Sequence, residues 1–271
     1  MLNAKDAHGL IAHRILLLGN TGSGKTTQIL TLPGRRYVHI FDQNALLSLQ
    51  GYDLDYDEYM PDTIGMAATS MTKGKGDKAL STSSESYRRF ETEFNERLQN
   101  GFFNQYDWIC FDGATTLLDL AMDRVLTING RFGTWPHQDD HGPVMIAFTN
   151  ICRNLTAIGK SVLMTGHLET RQDQVTQRIE TRPMMTGRLV VKIPLLFSDI
   201  FTTDVVEDKE GKSRYRIQTA PDQNVRTIRT SIKGLERFED VTIDFTKDPV
   251  GQGLGGILTW EQKQLAAVKA A

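Results

Sequence analysis

Cysteine is almost missing from this chain. Cys110 and Cys152 stand far apart, without the paired spacing of a zinc site, which excludes a disulfide scaffold and a structural metal knuckle. Both read as core residues of a reducing compartment. No run approaches the ~20 apolar residues that a membrane-spanning helix needs. Residues 1–13 also lack a basic start followed by a long apolar stretch. The expectation is a cytoplasmic protein with no membrane contact. A surplus of one charge is missing too: the formal net charge is −2, so a polynucleotide would have to be met by a local strip of Lys and Arg. There is no internal repeat.

What is present is an ordinary globular composition, 39% hydrophobic and 24% charged over 271 residues, enough for one large α/β core. The expected division is a core over 1–245, then a glycine-rich linker and a short C-terminal helix over 246–271. Arg14 to Leu18 is a compact apolar run ending in a glycine-rich turn, the pattern of a buried parallel strand. Lys25 to Leu32 reads as a helix closed by Pro33-Gly34, Tyr37 to Phe41 as a second strand, and acidic Asp53 to Asp62 as a solvated loop. Gly65 to Ser84, small and polar, reads as a mobile loop. Tyr87, Phe90, Phe94 and Leu98 recur at helical spacing, as do Val144, Phe148, Ile151, Leu155 and Ile158 before the strand Ser161 to Thr165. Asp107 to Phe111 is a third strand. Alternating strands and helices predict a mainly parallel sheet flanked by helices. Later, Leu189 to Ile193, Ile200 to Val206 and Arg214 to Thr219 are strand-like with short connections, and Glu207 to Lys212 is a hairpin turn. They add antiparallel strands in the C-terminal half. Gly251 to Gly256 reads as flexible and Trp260 to Ala270 as a terminal helix.

Between the first strand and the first helix lies Gly19-Asn20-Thr21-Gly22-Ser23-Gly24-Lys25-Thr26, which fits G-x-x-x-x-G-K-[ST]. The glycines let successive backbone N–H groups curl around phosphate oxygens, and the following helix presents its positive end to the same charge. Lys25 is expected to hold the β- and γ-phosphates of ATP and Thr26 to ligate Mg²⁺, with Thr27 completing the cradle. A bare turn into a helix needs no Lys-Thr pair. The metal also needs an acid on a neighbouring strand. Trp108-Ile109-Cys110-Phe111-Asp112 supplies Asp112, with Asp107 the weaker competitor. The strand ending at Thr165 runs into Gly166-His167-Leu168-Glu169, at the edge where open α/β sheets bind ligands, so His167 is the candidate γ-phosphate sensor. His137, Asp139, Asp140 and His141 suggest a metal cluster, but Trp135-Pro136 and Gly142-Pro143 mark them as a loop.

With the P-loop, Asp112 and His167 in this order, Arg14 to about Ile232 resembles the RecA-like recombinase core. The resemblance is closest to the short RecA-like ATPases of bacteriophages that assist single-strand annealing. It implies a RecA-like P-loop NTPase fold, DNA-stimulated ATP hydrolysis on single-stranded DNA in recombination or replication, and a phage protein in the bacterial host cytoplasm. A ring or filament of identical subunits and an annealing or single-strand-binding partner protein are implied as well. The family's acidic pair falls on His39 to Leu46, where Asn44 stands at the usual glutamate position. An amide holds a water but cannot take its proton, which leaves Glu169 as a substitute or, in a register shifted by two, Asp42. A DNA-binding loop is expected over Glu169 to Arg188, with Arg171, Arg178, Arg182 and Arg188 on phosphates, followed by Thr186-Gly187-Arg188 and two strands. The family's trans-acting cation is matched by Arg226 or Arg229. Three readings stay open beside this one: a helicase or helicase-loader motor, a small-molecule P-loop kinase using the same arginines, and an ATP-controlled binding switch with little hydrolysis.

Overall fold

The computed structural model describes residues 12–61, 85–172, 177 and 179–270. The expected loop Gly65 to Ser84 lies outside the described residues, as does Arg178.

Strand β1 (Arg14–Gly19) is buried along nearly its whole length because both its faces are covered. Ile15 and Leu17 point into one apolar layer, Leu16 and Leu18 into the other, the alternation that a doubly covered strand imposes. Around it forms a sheet ordered β10-β9-β8-β1-β5-β4-β2-β3. Its members are β2 (Arg36–Ile40), β3 (Asp55–Glu58), β4 (Trp108–Asp112), β5 (Ser161–Gly166), β8 (Asp199–Glu207), β9 (Ser213–Gln218) and β10 (Phe238–Asp240). From β8 to β3 every neighbouring pair is parallel, while β9 and β10 are antiparallel additions. The expected architecture is the one observed. One face carries α2 (Glu85–Asn100), α3 (Ala114–Ile128) and α4 (His141–Ala157). The other carries a 3₁₀ segment after the P-loop (Thr26–Thr31), α1 (Ala45–Leu49) and α6 (Gly253–Ala270). No helix among the described residues is long and apolar enough to cross a membrane.

Four local expectations change. The helix predicted over Lys25 to Leu32 is the shorter 3₁₀ segment, because Leu32 turns extended ahead of Pro33. Within the acidic stretch read as a loop, Asp55–Glu58 forms the edge strand β3, pairing in parallel with β2 and accepting the Tyr37 hydroxyl of β2 at the Asp57 carboxylate. Leu189 to Ile193 is not a strand: Leu189–Lys192 is the short helix α5, started by the Leu189 N–H bond to Thr186 O (3.2 Å) and stopped by Pro194. Gly251 to Gly256, read as flexible, contains the first turn of α6, with Leu254 and Leu258 fully buried against the core.

His39, on β2, is fully buried among Tyr37, Phe41, Tyr59, Phe90, Phe94 and Phe111, and neither ring nitrogen has a partner. Burial pushes its pKa down to about 3, with the Arg97 charge adding to the effect.

Candidate nucleotide-binding site

The parallel strands deliver their C-terminal ends to one edge of the sheet, and the P-loop begins there as β1 ends. Gly19 sits so close to β8 that a Cβ would lie 1.9 Å from Thr203 Oγ1 and 2.5 Å from Ser23 Oγ. Only a hydrogen fits. Ser23 and Thr203 share a buried 2.6 Å hydroxyl bond that fastens the loop to β8. Gly22 and Gly24 take φ of +77° and +82°, which turns the backbone inward at a cost only glycine escapes. The buried Lys25 Nζ donates to Gly19 O (3.0 Å) and Asn20 O (2.8 Å). Burial lowers its pKa, against the opposing charges of Asp112 and Asp42.

Asp112 ends β4 and is buried. Thr26 Oγ1 donates to both its oxygens (2.9 and 3.1 Å), and Thr165 Oγ1 of β5 donates to Oδ1 at 2.7 Å. Burial pushes Asp112 up to about 6; Asp42 adds to the rise, while Thr165, Thr26 and Lys25 oppose it. A carboxylate enclosed with two hydroxyls and little opposing charge is the environment a divalent cation would satisfy, and Thr26 with Asp112 offers the hard oxygens Mg²⁺ prefers. The residues fit the metal. Asp107 is excluded as the acid: it caps the start of β4, accepting the Arg35 N–H at 2.7 Å.

Asp42 lies two residues past the end of β2. Its carboxylate accepts the Thr116 hydroxyl, stands 3.7 Å from His167 Nε2, and lies over Gly113, where a Cβ would meet Oδ1 at 2.4 Å. Burial would raise its pKa, but His167, Thr116 and Lys25 outweigh that and hold it below the ordinary carboxylate range. An ionised acceptor thus stands at the edge of the metal acid. Asn44 does not: it is exposed, at φ +67°, in the turn leading away into α1, with no side-chain cap bond. Of the two positions, 42 and not 44 places its side chain beside His167 and Gly113.

A model of the AAA domain family matches residues 11–231 of this sequence. The chain belongs to that family. A crystal structure of the KaiC-like protein PH0186 from the hyperthermophilic archaeon Pyrococcus horikoshii is similar at 11% identity, with 85% of each chain covered and a TM-score of 0.41. No curated protein matches the sequence. This AAA domain has the RecA-like P-loop ATPase fold, in which β5 is inserted between the P-loop strand β1 and the acid strand β4. It carries the apparatus for nucleotide binding and hydrolysis.

The segment from Glu169 to Arg188 is structured differently from the loop expected. β6 (Leu168–Gln172) and β7 (Ile179–Pro183) form an antiparallel pair, in which Thr170 and Thr181 share a 3.2 Å cross-strand hydroxyl bond. Glu169 holds Arg171 (3.0 Å) and Arg182 (2.8 Å). These arginines, Arg188, Asp119 and Asp139 line a groove of about 1110 Å³, which shares no residue with the cavity beside the P-loop. Arg226 and Arg229 are both exposed, and Arg229 donates to the carbonyls of Pro194 (3.0 Å) and Phe197, tying down its own chain. Among the described residues no group of three His, Cys, Asp or Glu is placed to hold a metal ion. Asp140 instead binds Arg131 and Asn129.

Sequence reasoning missed Thr165, Thr203 and the wall formed by Tyr215, Val241, Ile243 and Phe245. The wall had a signal: apolar residues at 241, 243 and 245 alternate like one face of an extended segment. The two threonines had none, because their partners are 53 and 180 residues away.

Proposed function

We propose that this AAA domain hydrolyses Mg-ATP with Asp42 as the acceptor of the attacking water's proton, and couples that step to single-stranded DNA held along the β6–β7 hairpin. Lys25 neutralises the phosphates, and the P-loop N–H groups fix them. Magnesium, when bound through Thr26 and Asp112, supplies further neutralisation of the phosphate oxygens. Asp42 contributes general-base assistance, worth roughly 10²- to 10⁴-fold.

The observation that carries the DNA part is the position of His167. It faces Asp42 at 3.7 Å, and the hairpin begins at the next residue. A change in the charge around Asp42 therefore acts on the first residue of the strand that presents Arg171. The Arg171 side chain is 62% exposed, free to exchange its carboxylate partner for a phosphate. The kinase reading is disfavoured, because Arg171 and Arg182 converge on Glu169 rather than on the P-loop. In a ring or filament of identical subunits, exposed Arg226 is the cation left to reach a neighbour's site. Recombination or replication of a phage, with an annealing protein as partner, is the setting this reading implies.

ATP turnover measured with and without single-stranded DNA tests it. Stimulation by DNA, lost together with salt-dependent DNA affinity in an Arg171→Ala/Arg182→Ala variant, supports the reading. Turnover indifferent to DNA and an unaltered salt slope contradict it.

A further inference from the structure

A cavity of about 290 Å³ opens beside the P-loop, near the small end of ligand pockets, which run to roughly 300–1,000 Å³. Gly24, Lys25, Thr26 and Thr27 form one side. The opposite wall is Tyr215 on β9 together with Val241, Ile243 and Phe245, just past β10. Those last three residues lie beyond residue 231, outside the family match. The Tyr215 ring rests against the loop: a Cβ on Gly24 would come within 2.9 Å of its Cδ1.

The wall is fastened to the P-loop's own helical exit. Gln28, fully buried, donates from Nε2 to Val241 O (2.9 Å) and accepts the Leu254 N–H at Oε1 (2.8 Å). Thr31 accepts Gly255 N–H at its hydroxyl and Gly251 N–H at its carbonyl, both at 2.9 Å. Gly255 lies so close that a Cβ would fall 1.7 Å from Thr31 O. The C-terminal segment is thus an integral side of the nucleotide site.

We propose that this wall is the nucleobase subsite, and that it accepts adenine and guanine alike, holding the ring by stacking and apolar contact. The proposal rests on the P-loop being the triphosphate site. Telling the two purines apart requires a group of fixed polarity opposite the exocyclic amine of one and the carbonyl of the other. The Gln28 amide, the obvious candidate, is committed at both ends. The hydroxyls of Ser48 and Tyr215 can donate or accept, so neither rejects either base. Strong rejection arises where a wrong ligand leaves a buried polar group unpaired, and the side chains of this wall supply none.

Calorimetric titration of the full chain with ATP, GTP and inorganic tripolyphosphate, each with Mg²⁺, tests the proposal on the parent and on Phe245→Ala. Phe245 is 53% exposed, so the substitution removes little from the core. ATP and GTP should bind the parent within about tenfold of each other and well ahead of tripolyphosphate. The variant should lose about tenfold for both nucleotides, in keeping with ~1–3 kcal/mol for base–aromatic stacking, and nothing for tripolyphosphate. A preference above a hundredfold for ATP overturns the base tolerance and assigns the reading to the backbone of 242–245. Unchanged nucleotide affinity in the variant, or equal loss for all three ligands, overturns the subsite. A parent that binds tripolyphosphate as tightly as ATP also removes the subsite but leaves the P-loop assignment standing. A parent that binds none of the three removes both.

Discussion

Thr165 Oγ1 donates to Asp112 Oδ1 at 2.7 Å and accepts the Gly113 N–H at 3.0 Å, so one hydroxyl on β5 serves both the Asp112 carboxylate and the backbone immediately after it. Thr165→Val keeps the shape and removes both bonds. It leaves a buried carboxylate and a buried N–H each short of a partner, at about 1–3 kcal/mol apiece. Denaturant unfolding should show that loss, Mg²⁺ titration of nucleotide binding should shift, and Thr165→Ser should restore most of both. Equal stability of the valine variant would mean that Asp112 is satisfied in some other way.

The contact between Gly19 and Thr203 predicts a rescue. Gly19→Ala drives a methyl into Thr203 Oγ1 and should lower nucleotide affinity at least tenfold by pushing the loop off β8. Adding Thr203→Ala removes the nearer of the two hydroxyls in the way and leaves Ser23 Oγ, so the double variant should recover part of the affinity lost in Gly19→Ala alone, a coupling that a double-mutant cycle on ATP binding measures directly. Additive losses would show that the P-loop does not lean on β8 at this point.

His39 makes folding sensitive to acid. Its pKa in the folded chain is about 3, below the ordinary histidine value. As pH falls below about 6.5, the unfolded chain takes up a proton that the folded chain refuses. The unfolded state then binds more protons, so stability declines with falling pH until about pH 3. The contribution is several kcal/mol at most and is absent at pH 7 and above. His39→Leu should flatten the stability profile between pH 6 and 4 relative to the parent. Parallel profiles would place the acid sensitivity elsewhere.

Much of this was legible in the sequence where local pattern and global environment agree. The apolar runs of β1, β4 and β5 are strands buried on both faces, and the P-loop needs only its own eight residues and its strand-to-helix setting. The failures share a cause: the deciding partner lies far away in sequence. β3 is acidic, and the partners of its side chains, Tyr37 and Arg97 on Asp57 and Arg35 on Asp55, lie outside it in sequence, so it gives no strand signal of its own. Leu189 to Ile193 is an apolar run short enough to serve as helix or strand, and the turn at Thr186 decides. The glycines at 253, 255 and 256 look flexible in isolation, yet Gly255 is a packing requirement set by Thr31. The hairpin residues 168–172 and 179–183 are polar, and their pairing was obscured by arginines that invite a phosphate reading. Asn44 was singled out by a resemblance, with Asp42 as the alternative two residues earlier; the turn after Phe41 brings Asp42 beside Asp112 and Gly113.

Single-turnover hydrolysis of Mg-ATP, with binding measured on the same samples, compares the parent with Asp42→Asn and Asn44→Ala. All three should bind Mg-ATP, Asn44→Ala should hydrolyse it at close to the parental rate, and Asp42→Asn should be slower by roughly 10²-fold or more. Parental hydrolysis by Asp42→Asn, or a comparable loss in Asn44→Ala, would contradict the assignment of Asp42.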